Sequence, residues 1–134
     1  METVALRLQP GSDVRAGLEA LAKEKNMNAA VILGAVGSLS RVCLRFANQE
    51  QATTIVDKHE VIALSGMLST AGVHLHAVVS NARGQCIGGH VVYGCTVYTT
   101  LEIAIALPPN TQFHRTFDPA TGFKELSIEK SIEN

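Results

Sequence analysis

The sequence predicts an α+β fold: a mainly antiparallel or barrel-like sheet carrying one principal helix at about residues 12–26. Three observations point there. Apolar residues alternate with period two in residues 3–8 and 41–47. Apolar residues at helical spacing are sustained only between residues 14 and 22. From residue 53 onward, short strand-like segments recur at about ten-residue intervals, as hairpin-connected strands do.

In chain order, Val4, Leu6 and Leu8 alternate in a core register, and Pro10-Gly11 breaks that strand. Ser12 or Asp13 can cap the helix that follows. Its Val14, Leu18, Leu21 and Ala22 form one apolar stripe, while Arg15, Glu19, Lys23 and Lys25 lie outside it. The apolar run 29–33 meets Gly34 and Gly37. Each glycine would cost a helix about 1 kcal/mol, so the run reads as a buried, bent strand. In the next strand Val42, Leu44 and Phe46 face one way and Arg41, Cys43 and Arg45 the other. Segments 53–56, 60–68, 73–80, 85–97 and 100–107 follow, closed by Pro108-Pro109. The turn signal Asp118-Pro119-Ala120-Thr121-Gly122 then predicts a hairpin joining 113–117 to 123–128. No linker or repeat divides the 134 residues, so one domain over 1–134 is expected.

Composition narrows the function. Charged residues are 17% of the chain against about 25% in average globular chains, while 46% are apolar, a surplus that points to an oligomer. Eleven Lys plus Arg against twelve Asp plus Glu leave a net charge of -1 with no concentrated basic face, which argues against strong nucleic-acid binding. With no Trp, and every Tyr and Phe except Phe46 after residue 92, a base-stacking platform is poorly supplied. The longest apolar runs fall short of a membrane span, and METVALRLQP lacks the features of a secretory leader, so a cytoplasmic protein is expected. Cys43, Cys86 and Cys95 form an odd, sparse set without CxxC spacing, which suits reduced, buried thiols. Nucleophile elbows, P-loops and dinucleotide fingerprints are absent.

The informative stretch is Gly72-Val73-His74-Leu75-His76, followed by Gly88-Gly89-His90. In a strand, His74 and His76 share a face. If Ala82-Arg83-Gly84 is a three-residue loop with Gly84 left-handed, Asn81 closes on Gln85, and counting back sets His76 opposite His90. Directly opposite residues have β-carbons about 5 Å apart, so three imidazoles converge. A two-residue loop would send His90 to the other face. Three neutral imidazoles with an open position are the ligand set of a catalytic-type zinc site and also suit nickel, copper or iron. The plainer alternative is three strand histidines satisfied by their neighbours, or a pH-sensitive polar patch. Gly88 and Gly89 admit either a close approach or a bulge. Cys95 reads as core. His59 and His114, without local partners, read as surface or interface residues. Glu102, entering an apolar strand, reads either as an assistant to a metal site or as part of an edge salt bridge.

The run LSGMLSTAGVHLHAVVSNARGQCIGGHVVYGCTVYTTLEIAI, residues 64–105, closely resembles the PPC domain of plants and prokaryotes, also catalogued as a domain of unknown function. Gly34, Gly37-Ser38-Leu39 and Leu44-Arg45 extend the resemblance upstream. It implies an α+β protomer assembled as a homotrimer, with a divalent metal, commonly taken as zinc, on His74, His76 and His90. Plant members carry AT-hook segments that read the minor groove, and bacterial members inherit a DNA-binding label. No Arg-Gly-Arg core is present here. The plant interaction segment Gly-Arg-Phe-Glu-Ile-Leu aligns with residues 57–62, keeping Glu60 and the apolar pair Val61 and Ile62 but losing the rest. The resemblance thus implies a metal-binding module with a DNA-linked or regulatory role. The open coordination position supports the alternative of a metal-dependent enzyme acting on a small molecule.

Overall fold

A computed structural model describes residues 1–132. Among them the order is β1 (Glu2–Leu8), α1 (Val14–Glu24), β2 (Ala30–Arg45), β3 (Thr53–Ile55), β4 (His59–Ser69), β5 (Gly72–Ser80), β6 (Cys86–Val91), β7 (Thr96–Leu107), β8 (Thr111–Asp118) and β9 (Phe123–Lys130). The fold is α+β with an antiparallel sheet and a single helix among the described residues, as the sequence predicts.

Strand β2 organises the sheet, whose order is β1-β7-β2-β4-β5-β6 with β3 also on β2. Its first half is flanked by β7 and β4. Its far end meets β3 and β6. Because β6 returns to β2, the strands β2, β4, β5 and β6 close into a ring, and the sheet is partly barrel-like. The bend expected around Gly34 and Gly37 is present as register shifts of β2 against β7 at Ile32/Gly34 and Gly37/Ser38. The two segments 29–37 and 41–47 are accordingly one strand. Inside the sheet, Leu44, Leu68, Leu75, Val79, Leu101 and Ile105 are fully buried.

The helix buries Val14, Leu18 and Ala22 and lies against β4 and β5. Asp13 is its N-cap. One side-chain oxygen accepts from the Ala16 N–H at 2.8 Å, and the other accepts from the Gly94 N–H at 2.6 Å. One carboxylate thus satisfies a free helix N–H and ties the helix start to the turn between β6 and β7. That turn corrects the expectation of a continuous strand over 85–97. Gly94 takes φ +112°, and pairing resumes only at Thr96. The predicted terminal hairpin forms as β8 and β9, a separate two-stranded sheet docked through buried Phe113, whose N–H donates to the Asn28 carbonyl.

Two of the three thiols behave as expected. Cys43 and Cys95 are buried, and the Cys95 thiol donates to the Cys43 carbonyl at 3.2 Å. Burial pushes the Cys95 pKa up to about 11, as befits a core thiol. Cys86 is exposed, contrary to expectation, because it sits where β6 leaves the Asn81–Gln85 loop. His59 is also corrected: it is buried, with its Nδ1 hydrogen-bonded to the Asp57 carbonyl. His114 on β8 is half-exposed and has a partner, Glu129, at 2.9 Å across the hairpin. No helix among the described residues is long and apolar enough to cross a membrane.

Candidate metal centre

The loop chemistry that decides the site is the one required for convergence. Gly84 adopts φ +73°, its N–H donates to the Asn81 carbonyl, and the Asn81 N–H donates to the Gln85 carbonyl. The Asn81 side-chain oxygen accepts from the N–H groups of Arg83 and Gln85, which fixes the loop internally. Five unbroken pairs then run back along the hairpin and place His76 opposite His90. Leu75 points into the core while His74 and His76 point out, so the alternation that buries the strand also exposes its imidazoles.

Across the ring the same row continues. Arg45 of β2 is opposite His90, His90 is opposite His76, and His76 is opposite Ser65 of β4. One face of four strands therefore carries Arg45, the histidines and Ser65 together. Gly88 and Gly89 are explained by packing within the chain, with no bulge. A β-carbon at Gly89 would lie 2.8 Å from the Arg45 carbonyl oxygen, and one at Gly88 would lie 3.0 Å from that of Ala77. These glycines let β2 and β5 close on β6 and so hold His90 in the row.

The ring centroids of His74 and His76 are 5.0 Å apart, those of His74 and His90 5.3 Å, and those of His76 and His90 5.8 Å. One nitrogen from each lies within 4.8 Å of the others. A tetrahedral ion with Zn–N bonds of about 2.0–2.1 Å needs donor separations of about 3.3 Å, within reach of small side-chain rotations. His90 Nδ1 is buried without a hydrogen-bond partner among the described residues. An orphaned nitrogen costs a folded protein about 1–3 kcal/mol, and coordination through it would relieve that cost. The donor set therefore fits a divalent ion.

Electrostatics keeps two of these donors, His74 and His90, neutral. Burial, then Arg45 and the neighbouring His74, lowers the His90 pKa from 6.5 to about 4. Burial, then His76 and Arg115, lowers that of His74. Both rings thus keep a free lone pair at pH 7, as a metal ligand must. The folded protein resists protonating His90, whereas the unfolded chain binds that proton near pH 6.5. The protonation of His90 therefore takes nothing from the stability of the metal-free protein above pH 6.5, and its cost grows as the pH drops toward 4. The urea midpoint of chelator-treated protein should decline across that window.

Glu102 takes no part. It is exposed on β7, opposite Arg7 of β1 and Val36 of β2, and lines none of the cavities that contain the histidines. The triad itself opens onto a groove of about 1100 Å³ bordered by the stretch from Arg45 to Glu50, with Val78 and Phe123.

The match to known proteins follows the same residues. The model of the Plants and Prokaryotes Conserved (PCC) domain matches residues 1–107. The chain belongs to this family. Within the PCC domain fall all three histidines and the whole seven-stranded sheet, while the β8–β9 hairpin lies beyond the matched residues. The chain is 48% identical over 124 residues, 92% of its length, to the bifunctional protein GlmU of Synechococcus sp. (strain JA-2-3B'a(2-13)), and spans 20% of that protein. A hypothetical protein from Salmonella enterica is 42% identical, with a TM-score of 0.94 covering 98% of this chain and 95% of that one. A candidate DNA-binding protein from Bacteroides thetaiotaomicron shares the fold at 21% identity and TM-score 0.82, covering 93% of this chain and 91% of that one. A metal-containing protein from Archaeoglobus fulgidus shares it at 24% identity and TM-score 0.79, covering 95% and 94%.

Proposed function

We propose that this PCC-domain protein is a metal-binding module holding a divalent cation, zinc, through His74, His76 and His90. The observation that carries this reading is the convergence of three imidazole nitrogens within 4.8 Å on one exposed sheet face. Its support is the orphaned nitrogen of His90, the lowered pKa values that keep His74 and His90 neutral, and the description of the Archaeoglobus relative as metal-containing. Elemental analysis of protein purified without a histidine tag tests it. About one zinc per chain is expected in the wild type, with loss in His76→Ala. Absence of metal in the wild type, or unchanged retention in the variant, would overturn it.

A homotrimer belongs to the same proposal. Leu33 and Val36 of β2 and Ile62 of β4 are exposed, at 62%, 69% and 57%. That is more apolar surface than a monomer with so few charges would leave in water. Sedimentation equilibrium should return the mass of three chains. A DNA-linked or regulatory role stands on family analogy alone. With net charge -1, the chain offers little of the counterion release that drives phosphate-backbone binding.

A second reading, a metal-dependent enzyme acting on a small molecule, is favoured by one observation: the triad lies open to the 1100 Å³ groove instead of sealed beneath side chains. A divalent ion there would supply Lewis acidity at its free coordination position. The chain's own residues orient the imidazoles through the β5–β6 register and place Arg45 beside His90.

A further inference from the structure

The triad also borders a smaller cavity, of about 440 Å³, which His74 and His90 both line and which shares Arg45 and Phe123 with the larger groove. Its walls come from three separate parts of the fold: Arg15 of α1, Arg45 of β2, and Arg115 and Lys124 of the β8–β9 hairpin. A single carboxylate, Glu125, lines it among the described residues. Four cations against one carboxylate is a strong local excess in a chain whose net charge is -1.

These cations differ in what they already hold. Arg15 is engaged, donating to Glu19 and to the carbonyls of Val73 and Val91, so it mainly braces the two histidine strands against the helix. The guanidiniums of Arg45 and Arg115 make no hydrogen bond or ion pair with any described residue. Arg45 leaves the sheet on the same face as His90, its cross-strand partner. Arg115 reaches from the hairpin into the cavity that His74 and His90 line. Two guanidiniums without partners, converging on one small cavity, present donors in the fork geometry that matches an oxyanion. Three neutral imidazoles leave the charge of a divalent ion uncompensated, so an anion there would meet attraction from both sides. Phe123 adds an apolar wall, and the volume falls within the range of small-molecule sites.

We propose that this cavity binds a small organic oxyanion, a carboxylate- or phosphate-bearing molecule, between the metal's open position and the guanidiniums of Arg45 and Arg115. The inference rests on the metal reading given above and names the class of molecule that its site takes. Half of the recognition comes from the hairpin beyond residue 107, outside the segment that defines the family.

Calorimetric titration of zinc-loaded protein with malonate, inorganic phosphate and neutral malonamide tests it, with zinc content measured for every sample. Malonate or phosphate should bind and malonamide should not; whichever anion binds more tightly identifies the acid group. Arg45→Met, at an exposed site, and Arg115→Met, at a half-buried one, should each weaken anion binding about tenfold or more with zinc retained. Malonamide binding as well as malonate, or both variants binding like the wild type at full zinc content, would overturn the inference and leave the metal reading intact. A wild type without zinc overturns the metal reading, and the inference with it.

Discussion

Alanine at His90 is expected to abolish high-affinity metal binding while leaving the folded chain in place. Loss of a residue that merely orients a ligand costs about 10–100-fold in metal affinity, so removal of one of three ligands should cost on the order of 100-fold or more. The fold should survive because the closure of β6 on β2 is made by backbone pairing at Leu44 and Arg45 and by the close approach at Gly89. The imidazole contributes little to it. It also carries a buried nitrogen without a partner among the described residues, unfavourable in the metal-free protein at any pH, and a pKa of about 4, unfavourable only below pH 6.5. His90→Ala should therefore remove the His90 share of the decline in stability between pH 6.5 and 4 expected of the metal-free wild type, leaving a shallower acid slope. Competitive titration against a zinc chelator and urea unfolding at several pH values measure the two effects. An unchanged acid slope in the variant would show that His90 is not the group responsible.

Gly37→Ala is expected to destabilise the protein by about 3 kcal/mol or more, near the upper end for a change of one methyl group. A β-carbon at residue 37 would collide with the Thr100 carbonyl oxygen and lie 2.7 Å from the Leu101 Cα, both backbone atoms of β7. Neither can swing aside as a flexible side chain would. The pairing of β2 with β7 must open, and Leu101 is fully buried. Gly34, three residues earlier in the same bent strand, provides the contrast. A β-carbon there meets nothing within 4 Å, so Gly34→Ala should change stability by no more than about 1 kcal/mol. Denaturant unfolding of the two variants should separate them clearly. Similar midpoints would contradict the close approach at Gly37.

The two glycines illustrate what could be read in the sequence. Their spacing within an apolar run is a local signal and announced the bend; which one has the β7 backbone crowding its α-carbon depends on strand pairing some sixty residues away and left no local trace. The histidine hairpin was legible for the same physical reason. Its register is set by Asn81, Gly84 and Gln85, whose turn chemistry is encoded within five residues. His90 opposite His76 follows from counting. The arginine half of the site was not legible, since Arg45 reaches His90 only through ring closure of β2 on β6, and Arg115 only through docking of the terminal hairpin. Burial of His59 and exposure of Cys86 escaped prediction likewise, because both depend on the assembled sheet: His59 starts β4 opposite Leu39 of β2, and Cys86 starts β6 beside the Asn81–Gln85 loop. Glu102 looked attractive on chemistry alone, but its register on β7, opposite Arg7 and Val36, keeps it out of every cavity that the histidines line.

The central claim is that three imidazoles brought together by one hairpin hold a metal ion. Anomalous diffraction from crystals of untagged protein, recorded on both sides of the zinc absorption edge, tests it most directly. The account predicts one peak per chain, equidistant within error from nitrogens of His74, His76 and His90, that vanishes below the edge. Crystals of zinc-supplemented protein with no anomalous peak among the three rings, or with a peak bound elsewhere, would contradict it.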